Sequence, residues 1–540
     1  MPDSKRLEKQ HRVAFSCCPS LPLAGFLALN LTLPVLAQRP ESAYVNTVLS
    51  IQHQIETNDL AGARASIAEA IKKYPDNGGI ENLLGIVEIQ QGDVPGARQA
   101  FSAAVRDDPH LVSAFLNLAR IDMQTGFSDP ALRNEAMRLD ERVLESDSRN
   151  DEANYQVATI LTWEKSYRRS LDHLQKLSGQ ARARIEAEDL LCTDYAALGD
   201  REKMDAAANS MTGNPDLKEE DANSCLPALR TAHRADLIDR IFAAANERQT
   251  LSPAGQRILG LAEEAEGKLD EARTTLEGAF AAGDHSVAVL VDLTRIAKAE
   301  KDYKGALGYV AHARELDPKD ASLPYEFGVL CLQLDLYGES RKAIAEAVKL
   351  APDNPDYNFA MGTLVSFSDD PSQALPYLAR YHDFRPQDPE GLLALGAANF
   401  RAKDYETSVK WLEQAVKYPR TAPDAHFYLG RIDRQEWHLD EATTELKQSL
   451  ALRPEQPDVL AELGQVCIET HDYTLAQTYF GRALHLDPNN YGANFGLLQL
   501  YARTGDPRRD AQSRRFDQIK NEEFQQDRQM MRVLEIRPSG

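Results

Sequence analysis

Proline recurs along this chain at one interval. Pro75 and Pro109 stand 34 residues apart, Pro318, Pro352 and Pro386 take the same step, and so do Pro454 and Pro488. Glycine keeps the same ruler: Gly260, Gly328, Gly362, Gly396, Gly430 and Gly464 share one 34-residue frame, with Thr294 in the gap. Cut on that frame, units begin at residues 44, 78, 112, 151, 185, 219, 253, 287, 321, 355, 389, 423, 457 and 491. Only the unit 112–150 departs from 34, by five residues near GFSDPALRNE. A period of this size means a stack of supersecondary units, none of which can bury its apolar stripe alone. The 540-residue length would otherwise suggest three or four separate domains.

Other places in the frame repeat too. The seventh is apolar (Leu84, Leu118, Leu259, Leu463), and the twentieth and twenty-seventh are often alanine (Ala97 and Ala104, Ala476 and Ala483). The stretch Gly92–Pro109, GDVPGARQAFSAAVRDDP, shows how the second half of a unit is built. Gly92-Asp93 makes a turn, and Pro95 is tolerated in a first helical turn, where its missing N–H is not needed. Ala97, Phe101 and Ala104 then fall on one helix face. Asp108-Pro109 stops the helix, because proline cannot continue the ladder and its predecessor avoids the α region. Asp108, Asp317 and Asp487 read as turn formers and as caps of the next helix. Glycine at the eighth place and alanine at the twentieth let the two helices of a unit approach closely.

These marks resemble the tetratricopeptide repeat, a 34-residue helix–turn–helix. Residues 78–111 match it through Leu84, Gly85, Ala97, Phe101, Ala104 and Pro109, and residues 457–490 through Leu463, Gly464, Ala476, Phe480, Ala483 and Pro488. The resemblance covers roughly 44–524. The family's tryptophan at the fourth place is missing throughout, and its tyrosine at the eleventh occurs only as Tyr195 and Tyr501. It implies an all-α, right-handed α-solenoid of about fourteen helix–turn–helix units. The expected division is an N-terminal block at 44–150, signature-poor units at 151–252, a well-matched block at 253–490, and capping helices with a tail at 491–540.

The first residues differ. Lys5, Arg6, Lys9 and Arg12 form a positive leader, and no charge follows from Val13 to Gln38. Val35 and Ala37 suit signal-peptidase cleavage after Ala37, so residues 1–37 read as a signal peptide and 38–43 as a linker. An uncleaved anchor over 13–38 stays open, since the run is long enough to span, although Pro19, Pro22 and Pro34 weaken it. The expected location is periplasmic or secreted, with no membrane span after cleavage.

A net charge of -22 weighs against nucleic acid as a general partner. The sequence offers no H-E-x-x-H, G-x-S-x-G, Walker or dinucleotide motif, so catalytic residues, cofactors and metals are expected to be none. An enzyme is disfavoured, because repeats occupy nearly the whole chain. Cys192, Cys225, Cys331 and Cys467 fall at inward-facing places and read as small buried hydrophobes; a Cys192–Cys225 bond stays open.

The resemblance also implies that first helices line a concave face, with ligands met at the second, fifth, ninth, twelfth and thirteenth places. Over 253–456 those places carry Arg257, Arg295, Lys298, Tyr325, Phe359, Phe367, Phe400, Arg401, Phe427, Arg431 and Arg434. Over 151–252 they carry Glu152, Tyr155, Trp163, Glu186, Asp189 and Glu220. A basic, aromatic stripe on an acidic protein suits capture of a protein or peptide segment with acidic groups near Arg401, Arg431 and Arg434. The same side chains can instead brace neighbouring helices and pair with nearby carboxylates. The expected function is a protein-binding scaffold outside the cytoplasm. The alternative is an envelope assembly factor, for polysaccharide or pilus export, working through the convex face or the ends.

Overall fold

The computed structural model describes residues 42–533 apart from Asp369; the leader and most of the proposed linker lie outside them. First helices begin at Ser42, Gly78, Val112, Asp151, Ile185, Glu219, Pro253, Val287, Ser322, Pro355, Pro389, Ala422, Pro457 and Tyr491, and each is followed by a second helix. Among the described residues there is no strand. The all-α architecture of about fourteen helix pairs is therefore present, in step with the proline and glycine frame. The chain divides into two compact bodies, one ending at Gly283 and one beginning at Asp284. Within each, successive helix pairs pack on one another.

The close approach of paired helices has a specific cause. A β-carbon added at Gly85, Gly260, Gly328, Gly362, Gly396, Gly430 or Gly464 would come under 3.0 Å from a side chain sixteen residues on. Those side chains are Phe101, Leu276, Ile344, Leu378, Leu412, Leu446 and Phe480. The eighth place thus accepts the plug of the twenty-fourth, and the plugs are buried. Packing at this density leaves no room for one more methyl group.

Although in the longer unit 112–150 the fifteenth residue, Gly126, is still helical, the turn inside most pairs obeys one rule. Its last free residue, at the fifteenth place, takes a left-handed backbone conformation: φ is +82° at Gly92, +58° at Lys165, +72° at Gly199, +55° at His233, +62° at Lys301, +63° at Lys403 and +64° at His471. The next residue is often aspartate. Asp59, Asp93, Asp200, Asp302, Asp404 and Asp472 accept a hydrogen bond from the backbone N–H three residues on, capping the second helix.

One expectation needs correction. Asp108, Asp317 and Asp487 form turns, accepting the backbone N–H two residues on at 3.0, 3.1 and 3.0 Å, but they do not cap the next helix. Where a side chain caps a first helix, that chain is Asn77, Asn150, Ser252, Ser286, Asn354, Asp388 or Asn490. The proline after each Asp is the second residue of a β-turn, closed by the N–H of Leu111, Asp320 or Asn490 on the Asp carbonyl, so the next helix starts beyond that turn and its cap falls later.

The five extra residues of the 112–150 unit sit in longer helices, Val112–Gly126 and Pro130–Ser146, and not in a loop. In the next unit the second helix is cut to Tyr167–Leu174, with a short turn of helix at Gly179–Arg182. All four described cysteines are free thiols and buried. The neighbouring Cys192 thiol and burial push the Cys225 thiol well up, which makes it unreactive. No described helix is long and apolar enough to cross a membrane.

Candidate partner-binding face

The eleven stripe residues divide between the two bodies. Arg257, on Pro253–Ala265, belongs to the first body and is half-buried there. The other ten lie in the second body, and their surroundings sort them into two groups.

The first group is committed within the protein. Arg295 reaches Asp292 at 2.8 Å on its own helix, and Lys298 pairs with Glu326 of the next first helix. Tyr325 packs on Tyr357 with ring centres 4.7 Å apart, and Phe359 packs on Tyr381 at 4.8 Å. Arg434 is largely buried and touches Glu462 and Glu469, each at 2.9 Å. Burial pulls its guanidinium down, but the two carboxylates outweigh that and raise it. Arg431 lies 3.2 Å from Glu462 and covers the rings of Phe400 at 4.7 Å and Phe427 at 5.4 Å. Arg295–Asp292, Phe359–Tyr381 and Arg431–Phe427 lie within one repeat; the other contacts brace one repeat against the next.

The second group is open. Arg401 ends the helix Pro389–Arg401, lies 4.1 Å over the ring of Phe367 and donates to the Tyr428 hydroxyl at 3.0 Å. It has no carboxylate partner among the described residues. Phe367 is 72% exposed. Phe400 packs on Tyr405 and Tyr428, and Phe427 on Tyr428, so Tyr428 ties Arg401 to an aromatic cluster from two repeats while Phe367 meets the arginine from a third. A guanidinium held over one ring and tied to one hydroxyl, with nitrogen donors that no described carboxylate takes up, is chemically able to pair with a carboxylate.

Frame-based selection missed Tyr428, which sits beside a chosen place, and Trp437, which lies beyond the ligand-facing places altogether. Trp437 is 71% exposed. Its signal in the sequence is an aromatic at the fifteenth place, where other repeats carry small or polar residues.

The first body holds a cleft of about 380 Å³ beside the shortened second helix, lined among others by Arg120, Glu152, Tyr155, Arg184 and Glu186. Arg120 is already paired with Glu152 at 2.8 Å, and the walls carry both signs of charge. Among the described residues, no group of three or more His, Cys, Asp or Glu side chains could hold a metal ion.

A family model described as tetratricopeptide repeat matches residues 51–111, 359–426 and 462–513. The chain is a tetratricopeptide-repeat protein. The middle window of the match runs through Phe359, Phe367, Phe400 and Arg401. Among curated proteins, this tetratricopeptide-repeat chain is 22% identical to the BBSome complex member BBS4 of Bos taurus over 200 residues. That is 37% of this chain and 38% of the relative, so well under half of the relative's length is matched. Among solved structures, the APC/C hetero-tetramer Cut9-Hcn1 is 15% identical, covering 85% of this chain and 96% of that chain with a TM-score of 0.35. PilW, a type IV pilus biogenesis factor, is 16% identical, covering 39% of this chain and 98% of that chain with a TM-score of 0.35. Tetratricopeptide repeats bind peptides and proteins, and this architecture is that of a protein–protein interaction scaffold.

Proposed function

We propose that the protein is an exported scaffold that captures an acidic segment of a partner protein on the first-helix face of its second body, with Arg401 at the centre of the site. The observation that carries this reading is the state of Arg401: stacked on Phe367, tied to Tyr428, and without a carboxylate among the described residues, while Arg431 and Arg434 are spent on Glu462 and Glu469. An arginine whose guanidinium is steadied on an aromatic ring while some of its donors stay unspent suits an interface anchor. The repeat architecture supports a binding role over a catalytic one. The charged leader, the uncharged run and the Val35–Ala37 pattern support export to the periplasm or beyond.

The test places a photo-crosslinking residue at position 367 in the native host. A discrete crosslinked species that disappears with Arg401→Glu and persists with Arg295→Glu supports the site. The same species at the same yield in both variants overturns it. The first residue of the purified protein checks export: a start at Gln38 is expected, and a start at Met1 argues for the anchor.

A further inference from the structure

Trp437 stands where a tryptophan gains nothing from the fold. It occupies the fifteenth place of its repeat with φ +63°. That left-handed region puts the β-carbon against its own backbone, and a bulky side chain there is a genuine outlier. Among the described residues, the others at this place with a left-handed backbone are Gly92, Gly199, Gly267 and Gly505, and Asn58, Lys165, His233, Lys301, Asp335, Lys403 and His471. The backbone N–H of Trp437 is satisfied by the Arg434 carbonyl at 3.2 Å, so the turn forms without help from the indole. Burial does not compensate the strain either. Trp437 at 71% and Phe367 at 72% are the two most exposed large apolar side chains among the described residues. A strained, unburied aromatic points to use by something outside the chain.

The position of Trp437 relative to Arg401 is informative. Phe367 lies two residues past the end of helix Pro355–Val365, Arg401 ends helix Pro389–Arg401, and Trp437 lies two residues past the end of helix Ala422–Gln435. The three come from successive repeats and mark the same end of their first helices. Arg431 and Arg434 are paired with Glu462 and Glu469, whereas Arg401 has no ion pair among the described residues and is the cation in direct contact with Phe367. We propose that Phe367, Arg401 and Trp437 form one docking track for an extended segment that carries a carboxylate flanked on both sides by an apolar side chain. The track rests on the Arg401 site proposed above and extends it by one repeat.

Packed helices lie about 8–10 Å apart, so two steps span about 16–20 Å. An extended chain rises about 3.3 Å per residue, which sets the two apolar residues about six positions apart with the acid midway. The segment therefore reads apolar–x–x–acid–x–x–apolar.

A labelled synthetic peptide with Leu at its first place, Glu at its fourth and Phe at its seventh, on a Ser/Asn background, tests this by fluorescence anisotropy with the full chain. Binding is expected to weaken at least tenfold with Trp437→Ala, Phe367→Ala or Arg401→Ala, and with a peptide carrying Lys in place of Glu. Trp437→Ala must keep the wild-type thermal midpoint, which the exposed indole leads one to expect. Loss with Arg401→Ala but unchanged binding with Trp437→Ala overturns the track and leaves the Arg401 site standing. No binding to the wild type at about 1 mM peptide, where even a weak specific site would register, overturns the track. The crosslinking result at position 367 then decides the Arg401 site separately.

Discussion

Gly464 sits against the ring of Phe480, so closely that a β-carbon on Gly464 would stand under 3.0 Å from three ring carbons. Gly481, one residue after that ring, has a helical backbone and open space around it. The same substitution should therefore have opposite signs at the two places. Gly464→Ala is expected to destabilise by about 2 kcal/mol through overpacking. Gly481→Ala should stabilise by about 0.5–1 kcal/mol through helix propensity. Urea midpoints of the two variants check both, and equal shifts would contradict the packing account.

Arginines 33 residues apart differ just as sharply. Arg434→Ala leaves Glu462 with only Arg431, and Glu469 without its ion-pair partner, both largely buried. A loss of about 3 kcal/mol is expected, as for other broken buried pairs. Arg401→Ala strands no carboxylate among the described residues and should stay within about 0.5 kcal/mol of the wild type. Thermal denaturation of the two variants side by side gives the answer.

Trp437→Gly removes an L-residue from a left-handed position, and no described contact is lost with the indole. Stability should rise by about 1 kcal/mol. A higher thermal midpoint with weaker partner binding is the expected pattern. A lower midpoint would show that the indole packs on the fold after all.

Asp189 gives the first body a pH dependence. Burial chiefly, helped by Asp221, Asp194 and Glu186, lifts its carboxyl to about 7 against the lowering effect of the Ser224 hydroxyl, which donates to it at 2.6 Å. Asp194 is lifted to about 6, again mainly by burial, although Thr162 donates to it at 2.8 Å. In the unfolded chain both titrate near 3.9. Below about pH 4 the folded and unfolded states are both protonated at these groups, and their burial costs least. From about pH 4 to pH 7 the unfolded chain releases protons that the folded state retains, so stability falls as pH rises and levels off above. Asp189→Asn should match the wild type near pH 4 and exceed it at pH 8 by about 1–3 kcal/mol. Urea titrations at the two pH values check this, and an equal effect at both would remove Asp189 as the cause.

The repeat was readable because its marks are packing constraints that act within one pair. Gly85 and Phe101, or Gly464 and Phe480, must be small and large at a fixed separation whatever the ligand, and that rule survives in the sequence. The ion pairs were not readable in the same way. Arg434 meets Glu462 and Glu469 from the next repeat, and Lys298 meets Glu326; such pairs exist only once repeats are stacked, and no fixed spacing announces them. Trp437 escaped for a different reason. The left-handed turn accepts Gly, Asn, Asp, Lys and His alike, so residue type there carries little trace of the backbone conformation, and the oddity of a tryptophan shows only when φ is known.

That tolerance has an evolutionary side. The fifteenth place recurs once per repeat, its side chain points away from the plug-and-glycine core, and the turn closes through backbone bonds that any residue can make. A recognition residue could be gained, lost or shifted from one repeat to another by a single codon change, with little adjustment inside the helices. The stack thus offers a row of interchangeable addresses, and selection for a new partner could rewrite them one at a time.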